Sequence, residues 1–110
     1  MEEITFLVQG SAPEPYVVRF KKDGGNLTAH CTCPAGVIGQ YCKHRFRILD
    51  GCAEGIVSDN VAAVAAVASW LTGSDVETAL RDVRAAEDRL ETAKSELSAC
   101  KKKLARALVN

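Results

Sequence analysis

Cys31-Thr32-Cys33, then eight residues, then Cys42-Lys43-His44 is the feature that most constrains how this chain folds. It places three thiols and one imidazole within fourteen positions, a donor set that Zn²⁺ takes in structural sites. Two tight ligand pairs joined by a short loop close a tetrahedral cage once the loop returns one pair onto the other. Clustered Cys and His at this spacing read as metal ligands rather than as small residues buried together. The expected cofactor is therefore one zinc ion, held by Cys31, Cys33, Cys42 and His44. Four protein donors fill the tetrahedron and leave no position for water or substrate. The expected role of the ion is structural, and its binding free energy is folding free energy.

The same residues resemble the SWIM-type zinc finger, whose pattern is Cys-x-Cys, a variable spacer, then Cys-x-His. Pro34 directly after the second cysteine looks like that family. So does the Cys42-Lys43-His44 triplet running into Arg45-Phe46-Arg47-Ile48-Leu49. The likeness covers roughly residues 15–51, under half of the chain. It implies a zinc-binding module of a kind that serves as a DNA-binding or protein-binding adapter, and it leaves the C-terminal half unaddressed.

The first third of the chain reads as strands. Ile4, Phe6 and Val8 alternate with Thr5, Leu7 and Gln9, as Tyr16, Val18 and Phe20 do with Val17, Arg19 and Lys21. Pro13 and Pro15 separate the two runs, because proline removes ladder donors. Asp23-Gly24-Gly25-Asn26 is a hairpin signal that pairs the second run with a third, from Leu27 to Cys31, and delivers Cys31 and Cys33 at its end. Residues two apart on a helix point to different faces, so Cys42 and His44 cannot both reach one metal from a helix interior. They belong at the turn that opens a helix from about His44 to Leu49, with Gly51 as its stop. The local unit expected is β-β-loop-α.

The remainder reads as helical. A helix is expected over 60–71, capped by Ser58 or Asp59, with Trp70 as a core anchor and Gly73 ending it. Ser74-Asp75-Val76-Glu77 is a capping box that starts a longer helix over 75–109. Along it Val76, Val83, Leu90, Leu97 and Leu104 repeat every seven residues, and Ala79, Ala86, Ala93, Cys100 and Ala107 follow three positions after each. This is an a/d heptad with large residues at a and small ones at d. Such a stripe needs a cover, either a helix of a second chain or the 60–71 helix folded back, which is too short to cover more than about a third of it. Self-association is the favoured reading. Asp82, Arg89, Glu96 and Lys103 flank the stripe with alternating sign and could register a pair. The fold class expected is α+β: a small antiparallel sheet and short helix closed around zinc over 1–57, then a helical association region over 58–110.

Charge and composition narrow the function. Fourteen basic and fourteen acidic residues cancel, so global charge advertises neither nucleic acid nor membrane. Local charge differs: Arg19, Lys21, Lys22, Lys43, Arg45 and Arg47 face Asp23 alone, a net +5 that a zinc–trithiolate cluster lowers to about +4. Such an excess could supply phosphate contacts to DNA or RNA, with Tyr41 placed to stack on a base or to join the core. The alternative is a protein-interaction adapter, or an inhibitor of a larger nucleic-acid-processing machine, without nucleic-acid contact. No phosphate-cradling glycine loop, paired acid or triad order is present, so the chain is not expected to be an enzyme or to take a small-molecule substrate. Cys52 and Cys100 read as space-filling thiols, and His30 points away from Cys31 on its strand. No signal-peptide pattern or bilayer-length apolar run is present, and the odd cysteine count suits a reducing, intracellular setting such as the cytoplasm.

Overall fold

The computed structural model describes residues 2–109. Strands β1 (Glu2–Val8), β2 (Tyr16–Asp23) and β3 (Asn26–Cys31) form an antiparallel sheet in the order β1-β2-β3. The β2–β3 hairpin turns at Gly24-Gly25, where Asp23 pairs with Asn26 and Gly24 adopts φ 60°. A two-residue hairpin turn of this kind needs the left-handed region that glycine enters at no steric cost.

Side chains alternate across a strand, so the register decides which residues meet. Phe6 lies opposite Val18 and Val18 opposite Cys31, which puts the cysteine on the apolar face. Phe6, Val8, Val18, Phe20 and Leu27 are buried there, and the rings of Phe6 and Phe20 meet edge to face at 6.1 Å and 77°. The opposite face carries Thr5, Arg19 and His30 in one exposed row.

After the sheet come α1 (Pro34–Val37), α2 (Lys43–Leu49), a 3₁₀ turn at Val61–Ala63, α3 (Val64–Leu71) and α4 (Glu77–Ala107). Helices α2 and α3 pack together, and Ile48, Leu49, Val64, Val67 and Trp70 are buried. Gly51, at φ 85°, ends α2 as expected. Its N–H donates to the Ile48 carbonyl at 3.0 Å while the Cys52 N–H reaches the Arg47 carbonyl at 2.9 Å, the two bonds of a Schellman closure.

The second half departs from expectation at its helix starts. Neither Ser58 nor Asp59 caps a helix at residue 60. The chain makes a 3₁₀ turn first, and α3 begins at Val64 with no side-chain cap bond. Ser58 is committed to the sheet: its hydroxyl accepts the Leu7 N–H at 3.1 Å and donates to Asn60 Oδ1 at 2.7 Å, and Asn60 Nδ2 donates to the Thr5 carbonyl at 2.8 Å. The long helix begins at Glu77 rather than 75, because Asp75 binds the β2–β3 hairpin. Its Oδ1 accepts the Leu27 N–H and its own N–H donates to the Gly25 carbonyl, each at 2.9 Å. Ser74 Oγ donates to the Leu71 carbonyl at 2.7 Å and accepts from the Val76 N–H at 3.3 Å.

These bonds hold both ends of 58–75 to the sheet. So does 55–57 along the outer edge of β1, where the Val57 N–H donates to Leu7 and the Gln9 N–H to Gly55, both at 2.8 Å. The chain accordingly divides into the units Met1–Glu77 and Thr78–Asn110, with the boundary later than the expected 57/58. Among the described residues, no helix is long and apolar enough to cross a membrane.

Candidate metal centre

Cys31, Cys33, Cys42 and His44 converge, their donor atoms all within 4.8 Å of one another. Each arrives by a different local device. The register of β3 turns Cys31 inward. Cys33 is the N-cap of α1, with Pro34 at its first position, and its Sγ accepts the Gly36 N–H at 3.3 Å. Cys42 is the N-cap of α2 in extended conformation, φ −139° and ψ 120°, and His44 lies in the first turn of that helix. Cys42 and His44 therefore meet as expected at the helix start, where the break lets residues two apart face one point. Helix α1 and its cysteine cap are additions to the expected β-β-loop-α unit.

The donor set fits a tetrahedral metal. Zn–S bonds of about 2.3 Å and Zn–N bonds of about 2.0–2.1 Å imply sulfurs about 3.8 Å apart and sulfur–nitrogen separations of about 3.6 Å. Cys33 Sγ and Cys42 Sγ lie 3.4 Å apart, and His44 Nδ1 lies 3.5 Å from Cys42 Sγ and 3.8 Å from Cys31 Sγ. The sulfur pair is far too long for a disulfide, and all five cysteines are free. The three cysteines are buried and the histidine half-buried. This cluster could hold a metal ion such as zinc.

Amide donors surround the sulfurs: the Cys33 N–H points to Cys31 Sγ at 3.5 Å, Gly36 to Cys33, and Arg45 to Cys42. Burial pushes the Cys31 thiol up to about 12, so at neutral pH it carries its proton until a cation displaces it. Burial acts the same way on Cys42. There the hydrogen bonds from the Arg45 amide, the neighbouring thiols and the Arg45 side chain outweigh it, and the thiol falls below its ordinary value. His44 is held below the usual imidazole range by burial and then by the charges of Lys43 and Arg47, which favours the neutral, ligating form.

Two residues support the site through contacts that the sequence does not show. Arg45 donates to the carbonyls of Ala29, at 3.3 Å, and Gln40, and so ties α2 to β3 and to the ligand loop. Gly36 lies against Cys31. A Cβ there would clash with the Cys31 carbonyl oxygen and stand 2.8 Å from the Cys31 Cβ. Gly36→Ala is expected to push α1 off β3, separate Cys33 from Cys31 and weaken metal binding by about tenfold or more, the scale of lost ligand support. Competition against a chromogenic chelator measures it, and unchanged affinity would contradict the role given to Gly36.

Beside the cluster opens a cleft of about 630 Å³, lined in part by Gln9, Tyr16, Tyr41, Lys43, Arg47 and Glu54. The Tyr16 ring lies against His44, centroids 5.1 Å apart. Tyr41 stacks on Phe46 at 4.7 Å and 8°, yet the residue remains 61 % exposed. Of the basic residues singled out, Lys43 and Arg47 reach this cleft and the others do not. Arg19 is on the opposite sheet face in an ion pair with Glu3 at 3.1 Å, and Lys21 shares that face by alternation. Lys22 is half-buried near the hairpin end, and Arg45 is tied to backbone carbonyls. The expected +5 surface is therefore divided, because alternation along β2 sends neighbours to opposite sides.

His30 is exposed, and neither Cys52 nor Cys100 belongs to the cluster. Along α4 the stripe residues Leu90, Leu97 and Leu104 are 54–61 % exposed, Val83 is half-buried, and Ala79, Ala86, Ala93, Cys100 and Ala107 are exposed; Val76, expected in the same stripe, falls before the helix start and is half-buried. Comparison of the chain with protein-family models, with curated proteins and with solved structures finds no match.

Proposed function

We propose that this chain is a SWIM-type module, stapled by one structural zinc, that binds nucleic acid, DNA in the first instance, and self-associates through α4. It acts by binding rather than by catalysis, since four protein donors leave the metal no open position. The observation that carries the reading is the convergence of Tyr41, Lys43 and Arg47 on one cleft beside the cluster. Lys43 and Arg47 stand four apart on α2 and are both exposed, which suits contact with successive phosphates. Tyr41 offers an open ring face at the same place, and an aromatic platform beside cations is how single strands are held without sequence preference.

Fluorescence anisotropy of the zinc-loaded chain against labelled single- and double-stranded DNA and RNA, over a salt series, tests this. Lys43→Ala/Arg47→Ala is expected to reduce the log–log salt slope by about 2, one per lost phosphate contact, whereas Arg19→Ala on the far face leaves binding unchanged. Absence of binding at low salt, or equal loss with Arg19→Ala, would sink the proposal. The second reading is a protein-interaction adapter with no nucleic-acid contact. It is favoured by Val37 and Ile38, 71 % and 65 % exposed next to the ligand loop. In that case affinity for a partner is insensitive to salt and is lost on Ile38→Asp.

A further inference from the structure

The stripe on α4 holds more than a tendency to associate. Its a positions on α4, Val83, Leu90, Leu97 and Leu104, are Val or Leu, with Val76 lying just before the helix, and its five d positions are Ala or Cys. In a parallel pair each a residue meets its own copy and each d residue does the same. Leu would face Leu and Ala would face Ala in alternate layers, wide then narrow, which two regular helices cannot follow with even packing. In an antiparallel pair every a residue meets a d residue. Each layer then joins one large and one small side chain, and the spacing is uniform.

The flanking charges select the same orientation and one register. With Leu90 against the partner's Ala93, Val83 falls against the partner's Cys100 and Leu97 against the partner's Ala86. Asp82 then flanks the partner's Lys103, Arg89 the partner's Glu96 and Glu87 the partner's Lys94, and each of these opposite-charge pairs occurs twice by symmetry. A slip of one heptad one way sets Glu96 beside the partner's Glu96 and Arg89 beside the partner's Lys103. The opposite slip sets Arg89 beside the partner's Arg89 and Asp82 beside the partner's Glu96. A parallel pair places Asp82 by the partner's Glu87 and Arg89 by the partner's Lys94, both like-charged. Charges beside the seam are what set partner choice and direction in such helices. Net charge agrees: 77–91 carries five acids and three bases, net −2, and 92–109 carries five bases and one acid, net +4. Antiparallel pairing lays each end on its opposite.

We infer that α4 pairs with α4 of a second copy as an antiparallel two-stranded coil in the register that sets Leu90 against the partner's Ala93. The occupant is a second copy because the helix is complementary to its own reverse in both side-chain size and charge. Lys94, at 3.6 Å from Glu91 in an exposed pair along the helix, gives up a contact of little value to face the partner's Glu87. This inference rests on the self-association part of the proposed function.

Sedimentation velocity of the zinc-loaded full chain over a concentration series tests it. The wild type is expected to dimerise, Arg89→Glu to weaken the dimer about tenfold by reversing two pairs, and Arg89→Glu/Glu96→Arg to restore it. A parallel pair predicts the opposite sign, since Glu at position 89 would meet the partner's Lys94. A Val83→Cys chain under mild oxidation is expected to cross-link position 83 to the partner's Cys100. The wild type is expected to form no Cys100–Cys100 link, because the two sulfurs lie about 25 Å apart along the axis at ~1.5 Å per residue. A monomer at every concentration overturns self-association as a whole. A dimer that Arg89→Glu leaves unchanged or tightens, or that links Cys100 to the partner's Cys100, overturns this pairing alone.

Discussion

Chelation of the metal, or Cys42→Ala, is expected to unfold the Met1–Glu77 unit at room temperature. Its apolar core is small: Phe6, Val18, Phe20, Ile48 and Val67 are the largest fully buried side chains. The ligand loop contributes almost nothing to that core, since Val37, Ile38 and Tyr41 are exposed. The attachment of α1 and of the start of α2 to β3 therefore depends on the Cys31, Cys33, Cys42 and His44 cluster and on the Arg45 tether. A structural zinc supplies an apparent binding free energy of about 10–16 kcal/mol at neutral pH, against total stabilities of about 5–15 kcal/mol for ordinary domains. Removing the metal also leaves three buried thiols with little to hold them together. Near-ultraviolet circular dichroism of Trp70, buried with α3, reads the loss directly. Cys52→Ala and Cys100→Ala serve as controls and are expected to keep the metal. A native Trp70 signal after chelation would contradict the metal's structural role.

The second large effect is in the sheet. Phe20→Ala is expected to cost about 3–5 kcal/mol, the usual range for deleting a buried aromatic side chain. Phe20 is fully buried and meets Phe6 edge to face, so the substitution removes a favourable ring pair as well as apolar area. The metal-loaded variant is expected to unfold at markedly lower denaturant concentration with an unchanged metal stoichiometry, since no ligand is touched. Equilibrium unfolding in urea measures the shift. A loss below about 1 kcal/mol would show that the sheet face is less closely packed than its burial implies.

The Cys31/Cys33/Cys42/His44 cluster was legible because its information is local. Two ligand pairs, a hairpin turn at Gly24-Gly25 and a stop at Gly51 fix the path of the backbone around the cluster, and helix geometry alone placed Cys42 and His44 at the start of α2. How the supporting residues act was not legible, because it depends on how closely the folded elements approach one another. Gly36 matters through its approach to Cys31, and Arg45 is held by the carbonyls of Ala29 and Gln40 rather than by solvent. Ser58 and Asp75 carried capping signals but were claimed by the edge of β1 and by the hairpin. Alternation along β2 divided a basic cluster that looks continuous when read as a string. A sum of charges over sequence neighbours is a weak guide wherever those neighbours sit on a strand.

Zinc-edge X-ray absorption of the purified, metal-loaded chain tests the central claim most directly, because it counts and identifies the ligands. The account predicts one zinc per chain, with three sulfur neighbours at about 2.3 Å and one nitrogen neighbour at about 2.0–2.1 Å. A shell of oxygen and nitrogen alone, or a chain that folds to the same sheet and helices with no zinc bound, would contradict it.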